Sequence, residues 1–121
     1  MKKIANGESI AIDPNGPLPS IQITIGSSAI AFYTVYLISG ASHPVVCQGR
    51  STDNPPKICP IGTDASALPG QKLSWQVGTA AENDSFPVVV TLSQGGTTLK
   101  TYNYSGQGDD LLVDYVKLVS A

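Results

Sequence analysis

The side chains able to do covalent or acid–base chemistry are scarce in this chain. It has one histidine, His43, one arginine, Arg50, and two cysteines, Cys47 and Cys59. Pro44 biases His43 toward an extended backbone at a loop-to-strand boundary. If 43–47 is one strand, His43 and Cys47 share a face but lie about 13 Å apart at roughly 3.3 Å per residue, beyond hydrogen-bond reach. A Cys–His nucleophile is therefore not expected, and His43 reads as a surface residue. Two thiols make half a zinc site, which a lone histidine does not complete. The segment GTDASALPGQK lacks the GK[ST] ending of a phosphate loop, and neither HExxH nor GxSxG occurs. The sequence predicts no catalytic residue and no enzyme. A glycosidase built on two carboxylates is the enzyme class with the fewest requirements, but it needs a deep cleft that so short a chain is ill-equipped to form.

The carboxylates offer a different chemistry. Most fall in turn-rich segments, and calcium takes several oxygen ligands from such loops. Glu82 and Asp84 could converge with Asp109 and Asp110 if their loops share one end of the fold, giving a calcium site as the only cofactor expectation. The alternative is that Asp and Asn are simply good turn formers. Tyr102 and Tyr104, at i and i+2, share one strand face. Turned outward beside Asn103, Asp109 and Asp110, they would form a platform for a sugar or a protein partner. Turned inward, they would be core, with Leu99 near an edge. Both orientations fit the local pattern.

The cysteines flank a polar, proline-rich stretch, QGRSTDNPPKI, which reads as a loop. A disulfide between Cys47 and Cys59 would staple it and stabilise by roughly 2–4 kcal/mol. The alternative is two reduced thiols in a cytoplasmic protein.

The elements that must position these residues follow a period of two. Ile21, Ile23 and Ile25 alternate with Gln22 and Thr24, and Leu73, Trp75 and Val77 with Ser74 and Gln76. Strands are expected at 8–12, 20–26, 29–38, 44–49, 72–78, 86–93, 98–104 and 111–119. Gly95-Gly96 predicts a tight hairpin, and Leu68-Pro69-Gly70 and Asp13-Pro14-Asn15-Gly16-Pro17 predict turns. The 111–119 strand, apolar on both faces, is expected to be central, and Trp75 to fill the core. About eight short strands imply one all-β domain over 1–121, an antiparallel β-sandwich, with a small closed β-barrel as the alternative.

Composition narrows the partners. The 121 residues carry nine acidic and seven basic side chains, a net charge of −2, and only 13% charged residues. That excludes the basic stripe of a nucleic-acid binder. The most apolar run, Ala29–Ile38, is too short to span a membrane as a helix. Lys2 and Lys3 resemble the start of a signal peptide, but Asn6, Gly7, Glu8 and Ser9 interrupt any apolar core. The expectation is a cytoplasmic protein, or one exported by a route that leaves no leader here. Segment 29–38 is apolar on both faces, and one sandwich buries only one, so a homo-oligomer is expected. Two functional readings result. One is a non-enzymatic, lectin-like module that binds a glycan. The other is a self-assembling or protein-interaction subunit using strand 29–38.

Overall fold

The computed structural model describes residues 2–3, 7–26, 31–79, 85–107 and 111–121. Two sheets pack face to face, and the described residues form no closed barrel. The strands are β1 (Lys2–Lys3), β2 (Ser9–Ile12), β3 (Ser20–Ile25), β4 (Ala31–Ile38), β5 (Val45–Arg50), β6 (Ile58–Pro60), β7 (Lys72–Thr79), β8 (Ser85–Gln94), β9 (Thr97–Gln107) and β10 (Leu112–Ser120). One sheet runs β1-β10-β7-β4-β5, with β2 also on β10; the other runs β6-β3-β8-β9.

Alternation explains the packing. From the larger sheet, Tyr33, Val35 and Leu37 of β4, Leu73, Trp75 and Val77 of β7, and Leu112, Val116 and Leu118 of β10 point inward. They meet Ile21, Ile23 and Ile25 of β3 and Phe86, Val88, Val90 and Leu92 of β8. Trp75 is fully buried, as its strand pattern predicts. The hairpin between β8 and β9 turns on Gly95 (φ 60°) and Gly96 (φ 79°), with Gln94 paired to Thr97. Positive φ at both central residues is what a two-residue turn matching strand twist requires, and only glycine adopts it freely.

The all-β sandwich is as expected, and β10 is interior, flanked by β7 on one side and by β1 and β2 on the other. Three features differ from the sequence reading. Among the described residues the tally rises to ten strands, because β1 and β6 have only two and three residues and show no periodicity. The sheets are not purely antiparallel: β1 and β2 run parallel to β10. Parallel neighbours need a long crossover, and here most of the chain lies between them. Strand 111–119 also buries a carboxylate, Asp114, in phase with Leu112, Val116 and Leu118.

Candidate functional site

The four calcium candidates, Glu82, Asp84, Asp109 and Asp110, lie outside the described residues. Among the described residues no group of three or more His, Cys, Asp or Glu side chains is placed to hold a metal ion. Cys47 and Cys59 are joined in a disulfide. The bond withdraws Cys47 from any thiolate chemistry with His43 and ties β5 of one sheet to β6 of the other.

The tyrosine platform is resolved in favour of the inward orientation. Tyr102 is 7% exposed. Its ring lies 5.8 Å from Trp75 and 6.3 Å from Tyr104, stacked on the latter. Leu99 is only partly buried, and Asn103, on the opposite face of β9, is exposed. The reason is the pairing of Tyr102 with Val90 and of Tyr104 with Val88, two fully buried positions of β8. Each tyrosine then finds a carboxylate. Tyr102 Oη donates to Glu8 Oε2 at 2.9 Å, and Tyr104 Oη donates to Asp114 Oδ2 at 2.5 Å. The backbone N–H of Tyr115 donates to Asp114 Oδ1 at 2.7 Å. Lys100 closes the side of the sandwich, 3.6 Å from Glu8 and 5.7 Å above the Tyr102 ring. Burial, reinforced by the hydrogen bond to Glu8, pushes the Tyr102 hydroxyl pKa far above its usual range. Burial and the bond to Asp114 do the same to Tyr104. These groups use their polar atoms on one another and present a filled wall, so Tyr102, Asn103 and Tyr104 do not act together as an exposed platform.

Among the described residues, accessible relief is found on the other sheet. A pocket of about 400 Å³ opens over β4 and β5, where Phe32, Thr34, Gln48 and Arg50 border it. Strand alternation and the cross-strand pairs Phe32–Arg50 and Thr34–Gln48 put these four on the outer face. Phe32 is 47% exposed, and the Arg50 guanidinium sits 5.5 Å above its ring. Asp53 and Lys57, from the loop after β5, form the rim.

That loop is held by the edge it covers. The Arg50 backbone N–H donates to Asp53 Oδ2 at 2.9 Å, and Lys57 Nζ donates to the Gln48 carbonyl at 3.0 Å. Backbone groups of β5 that β4 does not use thus find side-chain partners, which blunts the sheet edge. Beneath, the Tyr33 ring lies across Gly49; a Cβ on Gly49 would meet Tyr33 at 2.3 Å, so a side chain there has no room. Burial first, and the nearby Asp53 charge second, raise the Tyr33 hydroxyl pKa.

The rest of this outer face is arranged in cross-strand rows. Tyr115, Ser74 and Tyr36 form one across β10, β7 and β4, and Lys117 and Lys72 are direct partners in the next. Lys72 Nζ lies 5.5 Å above the Tyr115 ring. Sequence reasoning singled out β4 for its two apolar faces but not this clustering, because the register that joins Lys72 to Lys117 is invisible in local pattern. No helix of the described residues is long and apolar enough to cross a membrane. No protein-family model, no curated protein and no solved structure matches this chain.

Proposed function

We propose that this protein is a non-enzymatic binding module whose ligand is a carbohydrate, held on the outer face of the β10-β7-β4-β5 sheet. The observation that carries the reading is the pocket over β4 and β5, which sets an exposed aromatic ring, Phe32, among amide, hydroxyl, guanidinium and carboxylate groups. A sugar ring has apolar C–H faces that settle on an aromatic ring and a rim of hydroxyls that need donors and acceptors together. Gln48 and Thr34 supply both, Arg50 and Lys57 donate, and Asp53 accepts. The absence of a Cys–His pair, with Cys47 in a disulfide, favours binding over catalysis.

The test is a glycan array probed with the wild type, Phe32→Ala and Gln48→Ala, with calcium and with a chelator. Selective binding that both substitutions weaken, with melting temperatures unchanged, is the expected result. Binding that requires calcium and ignores both substitutions would move the site to the acidic segments carrying Glu82, Asp84, Asp109 and Asp110. A blank array would remove the carbohydrate reading.

A second reading, self-assembly, draws on the exposure of Phe32 (47%) and Val45 (52%), apolar residues at adjoining strands of the same face. A mass by light scattering that doubles with concentration would favour it.

A further inference from the structure

We infer that the carbohydrate is anionic: an acidic polysaccharide, of the uronic-acid type, lying across the outer face of the larger sheet from the pocket toward Lys72 and Lys117. This rests on the carbohydrate reading above and adds the ligand's charge and footprint.

The first observation is charge segregation. The chain as a whole is net −2, yet the outer-face positions of β2, β4, β5, β7 and β10 carry Arg50, Lys72 and Lys117 and no carboxylate among the described residues. Lys57, whose ammonium donates to the Gln48 carbonyl, adds a fourth cation at the pocket rim, where Asp53 is the one carboxylate among the lining residues. The remaining described cation with a placed side chain, Lys100, is at the other side of the sandwich, paired with Glu8.

The second observation is independent. Lys72 and Lys117 are direct cross-strand partners on adjacent strands. Like charges in that relation are destabilising. Here Lys72 leans over the Tyr115 ring, and Lys117 has Ser9 as its partner on the other side. An anion laid between the two ammonium groups would convert this repulsion into attraction, which is the chemistry of a carboxylate-bearing ligand.

The third is spacing. Tyr115 and Tyr36 occupy one row with Ser74 between them, two strand intervals apart. At about 4.8 Å per interval that is close to 10 Å, about the length of two pyranose rings. Two tyrosines on strands at that separation, flanked by cations and by the polar side chains of Gln76 and Thr34, suit a polymer of sugar rings with a charge on each. A short cationic face on a net acidic protein suits that ligand better than duplex DNA, whose dense charge calls for a longer basic stripe.

The experiment measures binding of polygalacturonate, its fully methyl-esterified form and a duplex DNA of random sequence. The proteins are the wild type, Lys72→Gln/Lys117→Gln and Lys100→Gln. Polygalacturonate is expected to bind, more weakly as salt rises. The double variant should bind it roughly fivefold more weakly or less tightly still, two exposed ion pairs being removed, while Lys100→Gln binds as the wild type. Equal binding of acid and ester would overturn the anionic inference and leave the carbohydrate reading standing. An effect of Lys100→Gln as large as that of the double variant would also overturn it, since net charge and not this face would be responsible. DNA bound as tightly as polygalacturonate would replace it with general polyanion binding. Failure of polygalacturonate to bind would overturn the anionic inference, and failure of its ester as well, together with a blank glycan array, would overturn both readings.

Discussion

Reducing the Cys47–Cys59 bond is expected to lower the unfolding free energy by about 3 kcal/mol. The bond closes a loop with a sequence separation of 12. The chain-entropy relation for a loop of that size gives about 9.5 cal/mol/K lost from the unfolded state, or about 2.8 kcal/mol at 25 °C. At about 2.1 cal/mol/K per residue the unfolding entropy of the whole chain is about 250 cal/mol/K, so Tm should fall by about 11 °C. Urea denaturation followed by Trp75 fluorescence, oxidised against dithiothreitol-reduced, isolates the cross-link because both sulfurs stay in place. The Cys47→Ala/Cys59→Ala variant should lose somewhat more, since Cys59 is only 6% exposed and its sulfur packs in the core. A loss below about 1 kcal/mol on reduction would refute the entropic reasoning and show that the unfolded chain already holds these segments together. The same bond fixes Gln48, Arg50, Asp53 and Lys57 around the pocket, so ligand affinity should fall on reduction at temperatures where the protein remains folded.

Three further outcomes are expected. Tyr104→Phe should destabilise by about 1.5–3 kcal/mol in urea, the range for a hydrogen bond to a charged group, because it strips a donor from the fully buried Asp114; Tyr102→Phe should cost less, since its partner Glu8 is half exposed. Stability should fall steeply at alkaline pH. Tyr33, Tyr102 and Tyr104 have raised pKa values in the fold, so the folded state keeps protons that the unfolded chain releases above about pH 10. Their contribution is complete below that pH and is lost as pH rises beyond it, by up to about 1.4 kcal/mol per pH unit for each tyrosine. A denaturation series from pH 9 to 11 checks this, and Tyr104→Phe should show a shallower decline. Gly49→Ala should cost about 1–3 kcal/mol through overpacking against Tyr33, read as a lower thermal midpoint.

The sandwich is legible because its strands alternate. Ile21, Ile23 and Ile25, or Leu73, Trp75 and Val77, declare a buried face without reference to any neighbour. The Gly95-Gly96 turn and the Cys47–Cys59 staple are equally local signals. The site is not local. β9 mixes polar and apolar side chains on both faces, so the direction of Tyr102 is decided by Val90 across the hairpin and by Trp75 across the core. Tyr102 meets Glu8 from a strand at the far end of the sequence. Asp114 could have been recognised from its phase with Leu112 and Val116, but its partner Tyr104 could not. The cationic outer face depends on the register of β10 against β7, which no run of residues encodes by itself.

The position of β10 bears on how the chain reaches this state. It follows all the other described strands in chain order, yet β1, β2 and β7 all hydrogen-bond to it. Until it emerges, β2 has no ladder partner, and β7 has only β4. Ile10 and Ile12, buried in the finished fold, must wait until β10, beginning at Leu112, has followed them. Closing such distant pairings carries a loop-entropy cost that is recovered only at the end. The nascent chain therefore passes through a long interval of exposed apolar strands, and its solubility during that interval depends on holding those strands apart until β10 arrives to join them.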